Sequence, residues 1–388
     1  FSACSTQTPI SDYKLVTETT TSVVADTTNF KLSYSQSDSL NPFESKTLNN
    51  QVLEELVFDS LFTLDENLEP QPSIASGYSY TDSETLTVTL NSGIQFSNGS
   101  QVNADSVVYS FNQAKNSPHW ENSLKPISSA ERIDDLTVQF NLSYSNPNAH
   151  NLLTFAIACD EADENGYSTS AESIVNAVNI GNISYAVRDL SDSGSVRMQC
   201  NKRAINLNNM VYLGVNCKSG ITADENIRKA ISLAIDRETL VKSSYQGYAK
   251  CATSVFNPVS RQGKQTQTFA EAADISGAKQ AIEQSSQKDN SLSLTLAIND
   301  TSVNKSAATY IEQQLEAAGF TVEVKILKSK EYLKTVKQGN FDIYLGETKV
   351  PNDFNLSSFF TAKGATRYGI NIKNSVSAES YKAYLNGE

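Results

Sequence analysis

The apolar positions of this chain change period several times, and the changes divide it. From Asn50 to Leu61 they fall at Val52, Leu53, Leu56, Val57 and Leu61, the spacing of a helix with one face for a core. From Gly77 to Phe96 the period drops to two. Leu86, Val88 and Leu90 share one side of a strand and Thr85, Thr87 and Thr89 the other, while Asn91-Ser92-Gly93 and Asn98-Gly99 supply turns. That pattern predicts an antiparallel meander. Ala104 to Lys115 returns to helical spacing through Val107, Val108, Phe111 and Ala114, and Leu136, Val138, Phe140 and Leu142 alternate as a strand. With a strand expected from Phe30 to Ser35, this half reads as an α+β unit.

The second half has another rhythm. Thr222 and Glu225 have the spacing of a capping box, ahead of a helix with Ile227, Ala230, Ile231, Ala234, Ile235 and Val241 on its apolar face. Leu292, Leu294, Leu296 and Ile298 then predict a strand and Ser306 to Ala318 a helix stopped by Gly319. Val322, Val324 and Ile326 follow as a strand, Lys330 to Lys337 as a short helix, and Phe341 to Leu345 as a third strand. The order β-α-β-α-β favours a parallel sheet. The fold class is therefore α/β, and the chain shows no internal repeat of fixed period.

Composition narrows the function. The 388 residues suggest two or three domains. Against 43 acidic side chains stand 31 lysines and arginines, a net charge of -12 that repels phosphate backbones, so no nucleic acid partner is expected. There are two histidines, His119 and His150, and two methionines, too few for a haem site or a histidine-built metal site. No GxSxG occurs, and acidic pairs such as Asp134-Asp135 are what this composition yields by chance, so no catalytic residue and no cofactor is expected. The longest apolar run, Leu152 to Ala158, is far short of a membrane span.

The N-terminus points to a tether. Phe1-Ser2-Ala3-Cys4-Ser5 reads as the end of a bacterial lipoprotein signal, with Cys4 as the acylated residue, and 5–29 as a Ser/Thr-rich linker that holds a folded body off the membrane. The other cysteines, Cys159, Cys200, Cys217 and Cys251, allow up to two disulfides in any of three pairings, or inert thiols. Glu161, Asp163, Asn165, Gly166 and Glu172 fit positions 1, 3, 5, 6 and 12 of a calcium loop, but Glu at the first position and Ser168 at the eighth favour an ordinary acidic turn; no metal site is assigned.

Several stretches, in order, resemble extracellular solute-binding protein family 5, the oligopeptide, dipeptide and nickel receptors of ABC importers. They are Asp38-Ser39-Leu40-Asn41-Pro42-Phe43, the run from Val52 to Tyr78, and the run from Leu86 to Phe111. Asn226 to Leu240, Gly247 to Pro258 and Phe341-Asp342 complete the set. The resemblance implies a two-lobed fold like that of periplasmic binding proteins of the class II type, with an extra α+β subdomain on the first lobe. On that frame 1–4 is the signal remnant, 30–48 and 167–220 form the core of the first lobe, 49–166 is its subdomain, and 221–388 is the second lobe. The return of the chain to the first lobe is expected to be missing, as in a compact variant or an incomplete chain.

The family's ligand loop is altered here. Where peptide receptors carry a Trp and, three residues on, an Asp that pairs with the peptide amine, this chain has Glu347 and Val350. Glu347 or Asp353 is the candidate substitute, and Lys349 or Arg367 the candidate partner of a carboxylate, unless these are simply solvated loop charges. Tyr245, Tyr248, Tyr344 and Tyr368 are expected near lobe edges, as packing residues or in a wet cleft. His119-Trp120 is expected in an exposed loop, with stacking on a ligand as the alternative.

Asn41, Glu347, Lys349, Asn352 and Tyr368 are the expected ligand contacts. The reading is a monomeric, lipid-anchored receptor on the outer face of a bacterial membrane, periplasmic if an outer membrane is present. It takes a short peptide between its lobes and passes it to ABC permease subunits. A receptor for a sugar or chelated metal, and a non-transporting surface or sensory protein on the same fold, are the alternatives.

Overall fold

The computed structural model describes residues 32–35, 37–96, 99–159, 204–266, 270–360 and 375–386. The first unit contains α1 (Leu48–Val57), β1 (Phe62–Leu64), β2 (Pro70–Pro72), β3 (Ala75–Asp82), β4 (Thr85–Leu90), α2 (Ala104–Lys115), β5 (Ile127–Asp134) and β6 (Thr137–Leu142). Four of its strands form an antiparallel sheet in the order β3-β4-β6-β5. The alternation of β4 does what the sequence predicts: Leu86, Val88 and Leu90 are buried, and Leu86 and Val88 face Phe140 and Val138 of β6. On this face lies α2, started by a reciprocal cap in which the Asn103 side chain accepts from the Ser106 amide and the Ser106 hydroxyl accepts from the Asn103 amide. Strand β5 escapes sequence reading because only its first residue, Ile127, is buried, so it has no apolar alternation.

The second unit contains β7 (Asn209–Val215), α3 (Glu225–Ala234), α4 (Arg237–Ser244), α5 (Arg261–Gln265), α6 (Ile275–Glu283), β8 (Ser293–Asn299), α7 (Ser302–Ala318), β9 (Thr321–Leu327), α8 (Ser329–Gln338), β10 (Ile343–Lys349), α9 (Ser357–Phe360) and α10 (Ser375–Leu385). Its sheet runs β7-β10-β8-β9, with β10, β8 and β9 parallel as expected and β7 antiparallel at the edge. A second lobe that begins at 221 leaves β7 to the first lobe, yet β7 pairs with β10 along its whole length. Thr222 is not the helix cap. Its hydroxyl donates to the Asn216 carbonyl at 2.7 Å, and Asp224 caps α3 by accepting from the Asn226 amide. Asp236 caps a new helix by accepting from the Thr239 amide, which splits the single expected helix into α3 and α4. Gly319 ends α7 in the left-handed conformation, at φ 110°, where a side chain is strained.

Helix α1 inverts the expected face. Asn50 and Glu54 are buried, whereas Leu48, Leu56 and Val57 are exposed. The cause is the segment before the helix, which folds back over it. The Asn50 amide donates to the carbonyls of Ser35, Asp38 and Ser39, its oxygen accepts from the Ser35 amide at 2.7 Å, and the Ser45 hydroxyl donates to Glu54 at 2.9 Å. Burial, opposed by the Ser45 hydrogen bond, raises the Glu54 carboxyl to about 7. Asn50→Ala removes four hydrogen bonds to half-buried backbone groups at once, so it is expected to destabilise the first unit by about 2–3 kcal/mol. Limited proteolysis should then cut within residues 35–47 first; an unchanged cleavage pattern counts against this account.

Candidate functional site

Strand β10 changes character along one face. Ile343 and Leu345 sit in the core of the second unit, while Glu347 and Lys349, on the same face by the period of two, are exposed. The sequence pattern places them in a loop. They lie instead at the end of a strand, where Glu347 accepts from the Asn209 side chain at 3.3 Å. Two groups of the first unit feel the Lys349 charge, Glu55 on the last turn of α1 and His119 in the turn after α2. Burial pushes the Glu55 carboxyl up, and the Lys349 ammonium draws it part of the way back. Burial takes the His119 imidazole down to about 4, with the Lys349 charge adding to the effect. The Glu55 side chain is exposed.

The Lys349 charge of the second unit thus acts on a carboxyl group and an imidazole of the first. Such a set can take an ammonium group on one side and a carboxylate on the other by charge-assisted hydrogen bonds. The His119 ring stands edge-on to Trp120, with centroids 4.5 Å apart, and Trp120 packs on the core of the first unit. Glu55 gives no sequence signal, because the helical pattern directs attention to the apolar positions around it.

Past Val350 the chain enters a seam between the units. Asn146 donates to the Asp353 carboxylate at 2.7 Å, Asn151 donates to the Asn352 carbonyl at 3.0 Å, and Asn355 is held by the hydroxyls of Tyr144 and Tyr381. Leu68 of the first unit packs there with Val259, Val350, Phe354, Leu356 and Tyr381. Asp353 is 2% exposed and so is out of reach as an amine anchor. Asn352 belongs to the same seam.

Asn41 is elsewhere. Its side-chain oxygen accepts from the Phe43 amide at 2.9 Å, and it lines an open polar hollow of about 490 Å³ with Asp38, Glu44, Gln113 and Asn116. Tyr344 is fully buried and packs against Phe341, so it is a core residue, whereas Tyr248 is exposed. His150 lies under Tyr78, stacked at 4.0 Å, with its Nδ1 3.1 Å from the Tyr80 hydroxyl. Cys217 and Cys251 are free thiols, so the arrangement with two disulfides is not adopted. Cys4, Cys200, Arg367, Tyr368 and the calcium-loop residues Glu161, Asp163, Asn165, Gly166 and Glu172 lie outside the described residues. Among the described residues, no helix is long and apolar enough to cross a membrane and no three acidic, His or Cys side chains are grouped to hold a metal ion.

Two α/β units that meet along a seam form a two-lobed molecule. The sequence model of bacterial extracellular solute-binding proteins, family 5, matches residues 69–177 and 165–367, and the chain belongs to that family, one of binding proteins rather than enzymes. Among curated relatives, the nickel-binding protein NikA of Staphylococcus aureus is 24% identical over 335 residues, 71% of this chain and 66% of NikA. The glutathione-binding protein GsiB of Salmonella typhimurium is 29% identical over 107 residues, 26% of this chain and 21% of GsiB. The matches therefore span about a fifth of the one relative and under two thirds of the other. Among solved structures, the unliganded open form of the periplasmic murein tripeptide-binding protein MppA superimposes with a TM-score of 0.69 at 18% identity, over 92% of this chain and 89% of MppA. The oligopeptide-binding protein AppA of Bacillus subtilis, in complex with a nonapeptide, gives 0.58 at 18% identity over 89% and 84%. These likenesses establish the two-lobed fold.

Proposed function

We propose that this chain is the substrate-binding component of an ABC importer, held at the outer face of the membrane by lipid on Cys4, and that it captures a short peptide between its lobes for delivery to permease subunits. The observation that carries this reading is the pair of exposed charges Glu347 and Lys349 at the end of β10 in one lobe, with the Lys349 charge acting on Glu55 and His119 of the other. The two ends of a zwitterion match that polarity, with the carboxylate toward Lys349 and the ammonium toward Glu55, assisted by Glu347. Lobe closure would strip water from both pairs and strengthen them. Arg367, Asn352, Asn41 and Tyr368 remain candidate contacts of a longer ligand.

Calorimetric titration of the soluble Cys4→Ala chain with a pool of di- to pentapeptides tests it. Binding is expected, and Lys349→Ala or Glu55→Gln should each weaken it about tenfold to hundredfold, the value of one charge-assisted hydrogen bond. A folded chain that takes up no peptide overturns the assignment. A chelated metal is the second reading, favoured by the extent of the match to the nickel-binding relative and by a His119 imidazole kept neutral. Uptake of nickel with histidine, and of no peptide, would select it.

A further inference from the structure

Helix α8 breaks two local rules. Lys328 is its N-cap and makes no side-chain cap, at the positive end of the helix where an oxygen-bearing or acidic side chain is favoured. Lys330, Lys334 and Lys337 then recur at i, i+4 and i+7 on one exposed stripe, spacings at which like charges destabilise a helix. Among the described residues none of these three enters an ion pair, whereas Lys328 pairs with Asp300 and Lys325 of β9 lies 3.7 Å from Glu323. The helix is held from its other side. Val336 is buried with Ala297, Phe341 and Tyr344, and the Tyr332 hydroxyl donates to the Leu345 carbonyl at 2.6 Å. Lys325 shares the sheet face of Leu327, which packs in that same cluster, so it extends the patch. From Lys325 to Lys337 five exposed lysines stand against one acid, Glu331, in a chain with 43 acids to 31 lysines and arginines. Leu333, 65% exposed, lies beside the stripe.

We propose that the α8 face of the second lobe is a docking surface for anionic phospholipid headgroups. Its charge is opposite to theirs, and lysines on an anchored helix meet phosphates as point charges without a shaped pocket. The net charge of -12 does not oppose this. At physiological salt a charge acts over about 8 Å, so the local patch decides which side of the molecule can approach an anionic surface. Leu333 suits an interface with an apolar layer beneath the charges, which favours lipid over an acidic protein face. Such docking rests on the reading that the chain works at a membrane, and it needs neither lipid on Cys4 nor a bound solute.

Co-sedimentation of the soluble Cys4→Ala chain with vesicles of equimolar phosphatidylglycerol and phosphatidylcholine, and with phosphatidylcholine alone, tests the proposal. Binding to the anionic vesicles only, lost at high salt, is expected. Each lysine should be worth about fivefold, so a variant with Lys330→Gln, Lys334→Gln and Lys337→Gln should bind about a hundredfold more weakly. Glutamine keeps the helix propensity of lysine, so this variant should melt as wild type does. A control with Lys229→Gln, Lys279→Gln and Lys288→Gln makes the same change in net charge on and beside α3 and α6, which pack on the other face of the sheet, and should bind as wild type does. Failure of wild type to bind anionic vesicles overturns the proposal. Equal losses in the two triple variants also overturn it, because binding would then follow net charge and not the patch. A failed peptide titration leaves this surface untouched, and failed vesicle binding leaves the receptor reading in place.

Discussion

Gly214→Ala is expected to destabilise the second lobe by about 3 kcal/mol, the upper part of the usual overpacking range. Gly214 lies directly across from Tyr344 in the β7–β10 ladder, and a Cβ there would stand 2.0 Å from the ring. The ring has nowhere to go. It is buried at 1% exposure, 4.7 Å from Phe341 and 5.8 Å from Tyr212 by ring centroids, with its hydroxyl 3.3 Å from that of Tyr212. Gly346 repeats the arrangement two pairs along, opposite Tyr212, where a Cβ would meet that ring at 2.5 Å. Each glycine is thus the floor under a cross-strand tyrosine, and this pairing sets the register that leaves Glu347 and Lys349 exposed at the end of β10. Denaturant unfolding should show the loss in the transition of the second lobe; an unchanged midpoint would mean that the rings can tilt away.

Phe111→Ala should cost about 4 kcal/mol in the first lobe. The ring is fully buried between Phe140, at 5.7 Å and nearly perpendicular, and Phe155 at 6.1 Å, so removal leaves a cavity that the sheet and α2 cannot both close. Phe111→Leu should recover most of the stability. Because the two cores are separate clusters, Phe111→Ala and Gly214→Ala should lower different unfolding transitions, resolved by calorimetry. A common shift in both variants would show that the lobes unfold as one unit.

The legible part of the candidate site was chemical type. Lys349 and Glu347 stand out as charges at the end of an apolar strand, and Phe341-Asp342 marks where that strand begins. Their partners were not legible. Glu55 sits 294 positions before Lys349 in the chain, and nothing local distinguishes it from Glu54, its buried neighbour. Asp353 shows the same limit from the other side: as a letter it is one more loop acid, and only the approach of Asn146 turns it into a buried group.

The sequence by itself determined the strands of β4, β6, β8 and β9, helix α2, the end of α7 at Gly319 and the family, because each rests on contacts within a few residues or on a linear pattern of side chains. Only the tertiary structure decided which face of α1 is buried, where β7 joins the sheet, and which charges of the two lobes act on one another. Those outcomes depend on pairings between distant segments: the amide of Asn50 competes with its own apolar neighbours, β7 completes the open edge of β10, and Asn146 meets Asp353 only once the lobes are packed together.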